Sequence, residues 1–319
     1  MPETTSTRAN PMIDPTMHVW HAEVALYLFL GGLVAGVMVL VAARRLLRPG
    51  IPTSRALELV PWSVPVLLTL GMLFLWLDLE NRWNALRFYL IFRIATPMSW
   101  GAWILLLVYP VSLLFAWGET PEELRARWTR FLGRRLAARL DAWASAGQRP
   151  LAVTQLGLGI LLGVYTGILL GTFAARPLWN SAALGPLFLV SGLSTGAAFM
   201  LLQGLWPRER EQLSRLDMGL VGFEIVILGL WFAALASGSA HSQAAARLFF
   251  GGAYTAAFWT LVVALGLVTP LWAGWLERRH GAIPGRAAAV LVLVGGLALR
   301  WIVVDAGQTT AQVLQLGMR

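Results

Sequence analysis

Glu23 and Tyr27 stand four residues apart in an otherwise apolar run, and Trp20 and Gly31 fall on the same helical stripe. A carboxylate, a phenol and a broad aromatic ring on one face can hydrogen-bond the carbonyls of a planar carrier such as a quinone and exchange its protons. The same residues equally suit an aromatic belt at a membrane boundary, with Glu23 at the water's edge. His21 adds an imidazole, a group whose unperturbed pKa is near neutrality, able to donate to a carbonyl or shuttle a proton, or simply to sit at an interface. Glu224 is an isolated acid inside a second apolar run. There it is a proton relay if water reaches it, or else a structural hydrogen-bond partner. Asp78, Glu80, Arg82, Arg87 and Arg93 crowd one short stretch, while Arg300, Asp305 and Gln308 share another. Such groups can pair and shape a docking surface, as an ordinary solvated loop also would. Arg300 follows 13 uncharged residues and so needs a partner inside the protein, with Asp305 nearest in sequence.

The elements that must hold these groups are membrane spans. Of 319 residues, 57% are hydrophobic and only 13% charged, about half the charged share usual in soluble domains. Runs such as 24–43, 59–77, 94–118, 150–175 and 248–276 lack Asp, Glu, Lys and Arg. Each can cross a hydrocarbon core of ~30 Å, which takes about 20 residues of helix. Apolar runs and their punctuation predict eight spans, near 21–43, 57–79, 98–118, 150–174, 179–203, 214–236, 250–275 and 286–304. The fold class is therefore an all-α integral membrane protein.

Arginines set the orientation. The loops after the odd-numbered spans hold 17, against seven in the even loops and both tails, with Arg300 inside a span. The positive-inside rule makes the odd loops cytoplasmic and leaves both termini outside. The net charge of +9 is thus explained as a topology signal and not as a nucleic-acid footprint. Residues 1–20 lack the basic-then-apolar order of a cleavable signal, which predicts insertion by the first span. The expected organisation is an outer tail (1–20), a first bundle (21–174), a second bundle (175–304) and an outer tail (305–319). Residues 119–149, rich in Arg, Leu and Trp, read as an amphipathic helix on the cytoplasmic surface.

The chain has no cysteine, which removes disulfides, thiolate chemistry and cysteine-held iron–sulfur clusters. His18, His21, His241 and His280 all lie at span ends or in loops, so a haem held between facing helices is not expected, nor is a metal site. Gly32-Leu33-Val34-Ala35-Gly36 in span 1 has a counterpart in Gly192-Leu193-Ser194-Thr195-Gly196 in span 5. Both spans enter from the same side, so a parallel duplication into two four-helix bundles fits. Small-xxx-small spacing is also common wherever spanning helices pack closely.

Taken in order, these motifs resemble the NrfD/PsrC-like family of polysulfide reductase membrane subunits. The resemblance rests on Trp20-His21, on Tyr27 to Leu33 with Gly36, on Asp78-Leu79-Glu80 and on Arg87-Phe88. Pro97 to Trp103 follows, then Tyr165, Arg176-Pro177-Leu178-Trp179-Asn180 and Pro186-Leu187-Phe188 with Ser191-Gly192 and Gly196. Gly295-Gly296, Leu299-Arg300 and Ala306-Gly307-Gln308 complete the pattern, so it reaches from the first span to the last.

The resemblance implies two four-helix bundles and a quinone site near the outer face, with menaquinone or ubiquinone as carrier. It implies His21, Glu23, Tyr27 and Tyr165 as quinone-binding residues. Glu23, Asp78 and Glu224 become the proton path, and Arg82, Arg300, Asp305 and Gln308 the outer docking or ion-pairing groups. A four-cluster ferredoxin-like iron–sulfur subunit and a molybdopterin catalytic subunit are the implied partners, in the inner membrane of a prokaryote, surrounded by lipid, with a dimer of the complex allowed. A subunit without its own redox centre exchanges electrons only by holding a diffusible carrier beside a partner's cluster. The rival class is a secondary transporter with two parallel repeats. A purely structural anchor is the third.

Overall fold

The computed structural model describes residues 20–79, 97–173, 176–280 and 285–316, and all the regular structure there is helical. Eight of these helices are long and apolar enough to span a membrane. They are α1 (Ala22–Leu47), α2 (Arg55–Asp78), α3 (Pro97–Glu119), α6 (Gln148–Gly171), α7 (Leu184–Leu201), α8 (Pro207–Ser237), α10 (Thr255–Glu277) and α11 (Gly285–Leu316). Three shorter helices join them: α4 (Glu122–Leu132), α5 (Arg134–Ala146) and α9 (Ala240–Arg247). Helix is what lipid demands of an apolar run, because every main-chain polar group must be satisfied within the segment. The chain is a multi-pass membrane protein.

Burial separates the helices by role. The most apolar windows of α1 and α7 are 83% and 78% buried, against 33%, 33% and 28% for α2, α8 and α10, so the first two form the centre and the others face lipid. Helix α1 packs on α2, α6, α7 and α11, and α7 packs on α1, α6, α8 and α11. Their contact is main chain against main chain. A Cβ on Gly192 would meet the Gly32 carbonyl at 2.6 Å, and one on Gly196 would meet the main chain of Gly36 at 2.7 Å. The two small-residue motifs of the sequence are thus one interface.

Several boundaries differ from the sequence reading. The last span does not stop at 304 but runs to Leu316, because Asp305 and Gln308 find hydrogen-bond partners inside the protein and do not break the helix. Helix α8 starts at Pro207, with Pro at its first turn and the Glu209 carboxylate accepting from the Trp206 amide at 3.0 Å. The stretch 119–149 is a pair of helices and not one, broken at Gly133, whose φ of 83° suits glycine. This hairpin is pinned to the end of the bundle opposite the α1 start. Trp117 Nε1 donates to Asp141 Oδ1 at 2.9 Å, and Trp62 meets Trp128 edge to face with ring centroids 4.9 Å apart. Helix α10 widens to π-helical hydrogen bonding over Phe258–Val268, where Gly266 lies against Gly295 of α11. His18, Glu80, Arg82, Arg87 and Arg93 lie outside the described residues.

Candidate functional site

The end of the bundle where α1 begins, the upper end, brings three of the predicted groups together. His21 sits at the N-cap of α1, Glu23 in its first turn and Asp78 at the last residue of α2. Their ligand atoms all lie within 4.8 Å of one another. His21 Nδ1 is 3.2 Å from Asp78 Oδ1, and the His21 amide donates to the same oxygen at 3.4 Å. The His21 side chain is 71% exposed and that of Asp78 only 10%, so the imidazole is the member that meets the surroundings. Glu23 Oε2 is buried with no hydrogen-bond partner among the described residues.

Tyr27, one turn below Glu23, is buried against α2 beside Gly71. Tyr165 is also buried, and its ring occupies the space that a side chain on Gly101 of α3 would need. The Trp-Gly-Ala-Trp motif therefore admits a phenol between α3 and α6. Its neighbour Thr166 faces Gly31 at 3.7 Å from that glycine's Cβ position. Since Gly31 is eight residues past Glu23, Tyr165 lies roughly 12 Å deeper than the triad. The four predicted quinone-site residues are thus arranged along a column and not clustered at one level.

Gln308 ties down the start of α1. Its side-chain amide takes both main-chain groups of Trp20, accepting from the amide at 2.8 Å and donating to the carbonyl at 2.9 Å. The Trp20 ring stacks on Trp179 at 5.1 Å and meets Phe173 edge-on at 5.0 Å, while Trp179 Nε1 donates to the Val303 carbonyl at 2.8 Å. Arg176 donates to the Gln308 carbonyl. The start of α1 is therefore tied to the end of α11 and to the Arg-Pro-Leu-Trp-Asn segment between α6 and α7.

The placement of Arg300 at the outer end, with Asp305 as its partner, is corrected. Arg300 is fully buried near the middle of α11, and five residues on a helix point the two side chains away from each other. Its guanidinium donates to Ser191 Oγ at 3.1 Å, to the Gly296 carbonyl at 3.0 Å and to the Phe188 carbonyl at 3.2 Å, and lies over the rings of Phe188 and Phe29. Asp305 instead accepts from Tyr254 Oη at 2.8 Å.

Glu224 of α8 is buried beside Ser191 of α7 and Arg300 of α11, so an acid of α8 and a base of α11 meet near Ser191. One turn along α7, Ser194 Oγ donates to Asp217 Oδ1 at 2.8 Å. Asp217 escaped the sequence reading, although it precedes Glu224 by seven residues, two helical turns, and so shares its face. Beside it, toward the lower end, a cavity of about 20 Å³ lined by Arg210, Ser214, Asp217 and Glu277 has room for one water.

These features define an eight-span helical membrane protein with a polar triad at one end and a buried acid–base array in its second half. Residues 10–312 match the family described as polysulphide reductase, NrfD, and the chain belongs to that family. It is 33% identical over 307 residues to protein NrfD of Escherichia coli (strain K12), covering 92% of this chain and 96% of the relative. It is 31% identical over 314 residues to the C subunit of the polysulfide reductase of Wolinella succinogenes, covering 91% and 95%. A NrfD homologue of Haemophilus influenzae is 26% identical over 326 residues, covering 94% and 97%.

Proposed function

We propose that this chain is the quinone-binding membrane subunit of a multisubunit oxidoreductase, exchanging electrons between the membrane quinone pool and an iron–sulfur subunit docked on its outer face. Membership of the NrfD family supports its place as the membrane subunit of a redox complex. The observation that carries the quinone reading is the triad of His21, Glu23 and Asp78 with its orphaned Glu23 oxygen. A buried carboxylate oxygen without a donor is costly, and a quinol hydroxyl supplies the missing hydrogen. The donor set fits the group, and menaquinone or ubiquinone would meet it equally.

A bound quinone contributes two-electron, two-proton chemistry. This chain's residues would orient it and handle the protons. His21 would present its exposed imidazole to the carrier's oxygen, with Asp78 fixing the ring through Nδ1. Glu23 would accept from or donate to the carrier through its unpartnered oxygen. Tyr27 and Tyr165 line the column below, with the Tyr165 phenol as the deeper hydrogen-bond donor. Glu224, with Asp217 added, offers protons a route toward the lower end through Ser191 and Ser194. Because the chain lacks cysteine, electrons enter or leave through the partner.

The same reading takes the upper end as the outer face of a prokaryotic inner membrane, with both termini there, and groups the spans into two four-helix bundles centred on α1 and α7. The equivalent positions of those helices and their mutual glycine contact support this. The names of the relatives support a further catalytic subunit, read as molybdopterin-bearing, in a complex that would itself be able to dimerise. As for solute transport, Arg300 has both Nη groups on protein acceptors instead of facing a solute path.

The test is purification in mild detergent with mass spectrometry of co-purifying proteins and extraction of bound quinone. Wild type should carry an iron–sulfur subunit and quinone, with quinone lowered in Asp78→Asn and Tyr165→Phe while the partner stays. A lone protein with neither would overturn the reading.

A further inference from the structure

We propose that the α4–α5 hairpin is a binding surface for anionic phospholipid headgroups of the adjoining leaflet. The hairpin is fixed at the membrane edge and does not hang free. Trp117 to Asp141, Trp62 to Thr120 at 2.8 Å, and the Trp62–Trp128 ring pair attach it to the lower ends of α2 and α3. Ala137 and Ala144 face that contact and are buried.

The other face is apolar and uncovered. Phe131 is 90% exposed, Trp143 62%, Leu136 45% and Leu132 42%. Arginines share this face. Arg127 precedes Phe131 by four residues, and Arg139 lies three past Leu136 and four before Trp143, spacings that bring side chains together on a helix. Arg127, Arg130, Arg134, Arg135 and Arg139 are all exposed and make no hydrogen bond or ion pair among the described residues. Arg125, by contrast, is engaged by Asp141 at 3.4 Å and by the carbonyls of Gly118 and Thr120. The acids nearby are Glu119, which pairs with Arg44 and Arg45, Glu122 and Glu123 in the first turn of α4, and Asp141, which is already bonded to Trp117.

This combination selects one occupant. A merely solvated face would not carry Phe131 and Trp143, and an apolar protein contact would not surround them with unpaired cations of one sign. Rings that enter the headgroup boundary beside guanidiniums that take phosphate oxygens in pairs satisfy both sets at once. The neighbouring apolar helices already place the hairpin at that depth.

Because the protein has no cysteine, Leu136→Cys carries a single environment-sensitive label on the full-length protein. The label is read in nanodiscs of phosphatidylcholine with or without phosphatidylglycerol, using headgroup nitroxide lipids as quenchers. Quenching should be about twofold or more stronger with phosphatidylglycerol, fade at high salt, and lose its dependence on lipid charge in a variant with all five free arginines changed to Gln. Each arginine should contribute about fivefold in apparent affinity for the anionic lipid. Quenching that is equal in both lipids and unchanged in the Gln variant overturns the proposal. So does a label that stays water-exposed throughout, which would leave the face to an acidic protein. Bound quinone, measured in the same variant, should be unaffected, since none of these residues approaches the upper triad.

Discussion

The guanidinium of Arg300 occupies the volume that a side chain on Gly32 would take. One glycine of α1 thereby admits a fully buried guanidinium to the junction of α1, α7 and α11. The neighbouring Gly31 has ordinary room, its Cβ position 3.7 Å from Thr166. Gly32→Ala should therefore cost ~3 kcal/mol or more by displacing a buried, triply bonded charge, while Gly31→Ala stays near neutral. Thermal unfolding of the two variants in detergent checks the contrast, and equal midpoints would sink it.

The lock between Gln308 and Trp20 gives a second expectation. Gln308→Leu removes two hydrogen bonds and orphans the main chain next to His21, for a loss of about 1–3 kcal/mol. Amide exchange at Trp20 and His21 should accelerate, with exchange along the middle of α1 unchanged. Under the proposed function, quinone affinity should fall with it, because the imidazole would no longer be held over Asp78.

How much of this is legible in the residues alone differs by feature. The eight spans follow from uninterrupted apolar runs, which lipid allows only one structure. The contact of Gly32 and Gly36 with Gly192 and Gly196 is visible as a repeated motif, though spacing cannot tell a duplication from an interface. His21 and Glu23 are legible because they are neighbours in sequence. Asp78 is a candidate on its own, but its meeting with His21 depends on how α1 and α2 pair. Arg300 is misplaced by sequence because proximity along the chain does not mean proximity in space. Asp305 points elsewhere on the helix, and the partners beyond its own helix, Ser191 and Phe188, sit on α7, more than 100 residues away. Asp217 is hidden by its place near the start of a span, where an acid normally needs no explanation.

The Arg300, Ser191 and Glu224 array predicts unequal substitutions. Glu224→Gln keeps shape and hydrogen bonding and should cost ~1 kcal/mol or less, whereas Arg300→Met takes the guanidinium from Ser191 Oγ and the Phe188 and Gly296 carbonyls and leaves Glu224 without its neighbouring cation, for ~3–5 kcal/mol. The double variant should lose less than the sum, since the substituted amide presents no charge to be orphaned, with a coupling of about 1 kcal/mol. Additive losses in a double-mutant cycle would show that Glu224 and Arg300 do not sense each other.

The fit of Tyr165 against Gly101 separates packing from binding. A Cβ on Gly101 would meet the ring as well as the hydroxyl, lying 2.6 Å from Cε1, so Gly101→Ala must push the whole ring out of place. Overpacking of this kind costs about 1–3 kcal/mol. Tyr165→Phe does not relieve it, because the ring remains, whereas Tyr165→Leu does, because the ring is gone. Stability should therefore fall in Gly101→Ala and recover in Gly101→Ala with Tyr165→Leu. Bound quinone should stay low in both, since neither presents the phenol at its place in the column, and in Tyr165→Phe it should drop about tenfold for one lost hydrogen bond. Quinone that recovers along with stability in the Leu double variant would remove Tyr165 from the site and leave it a packing residue between α3 and α6.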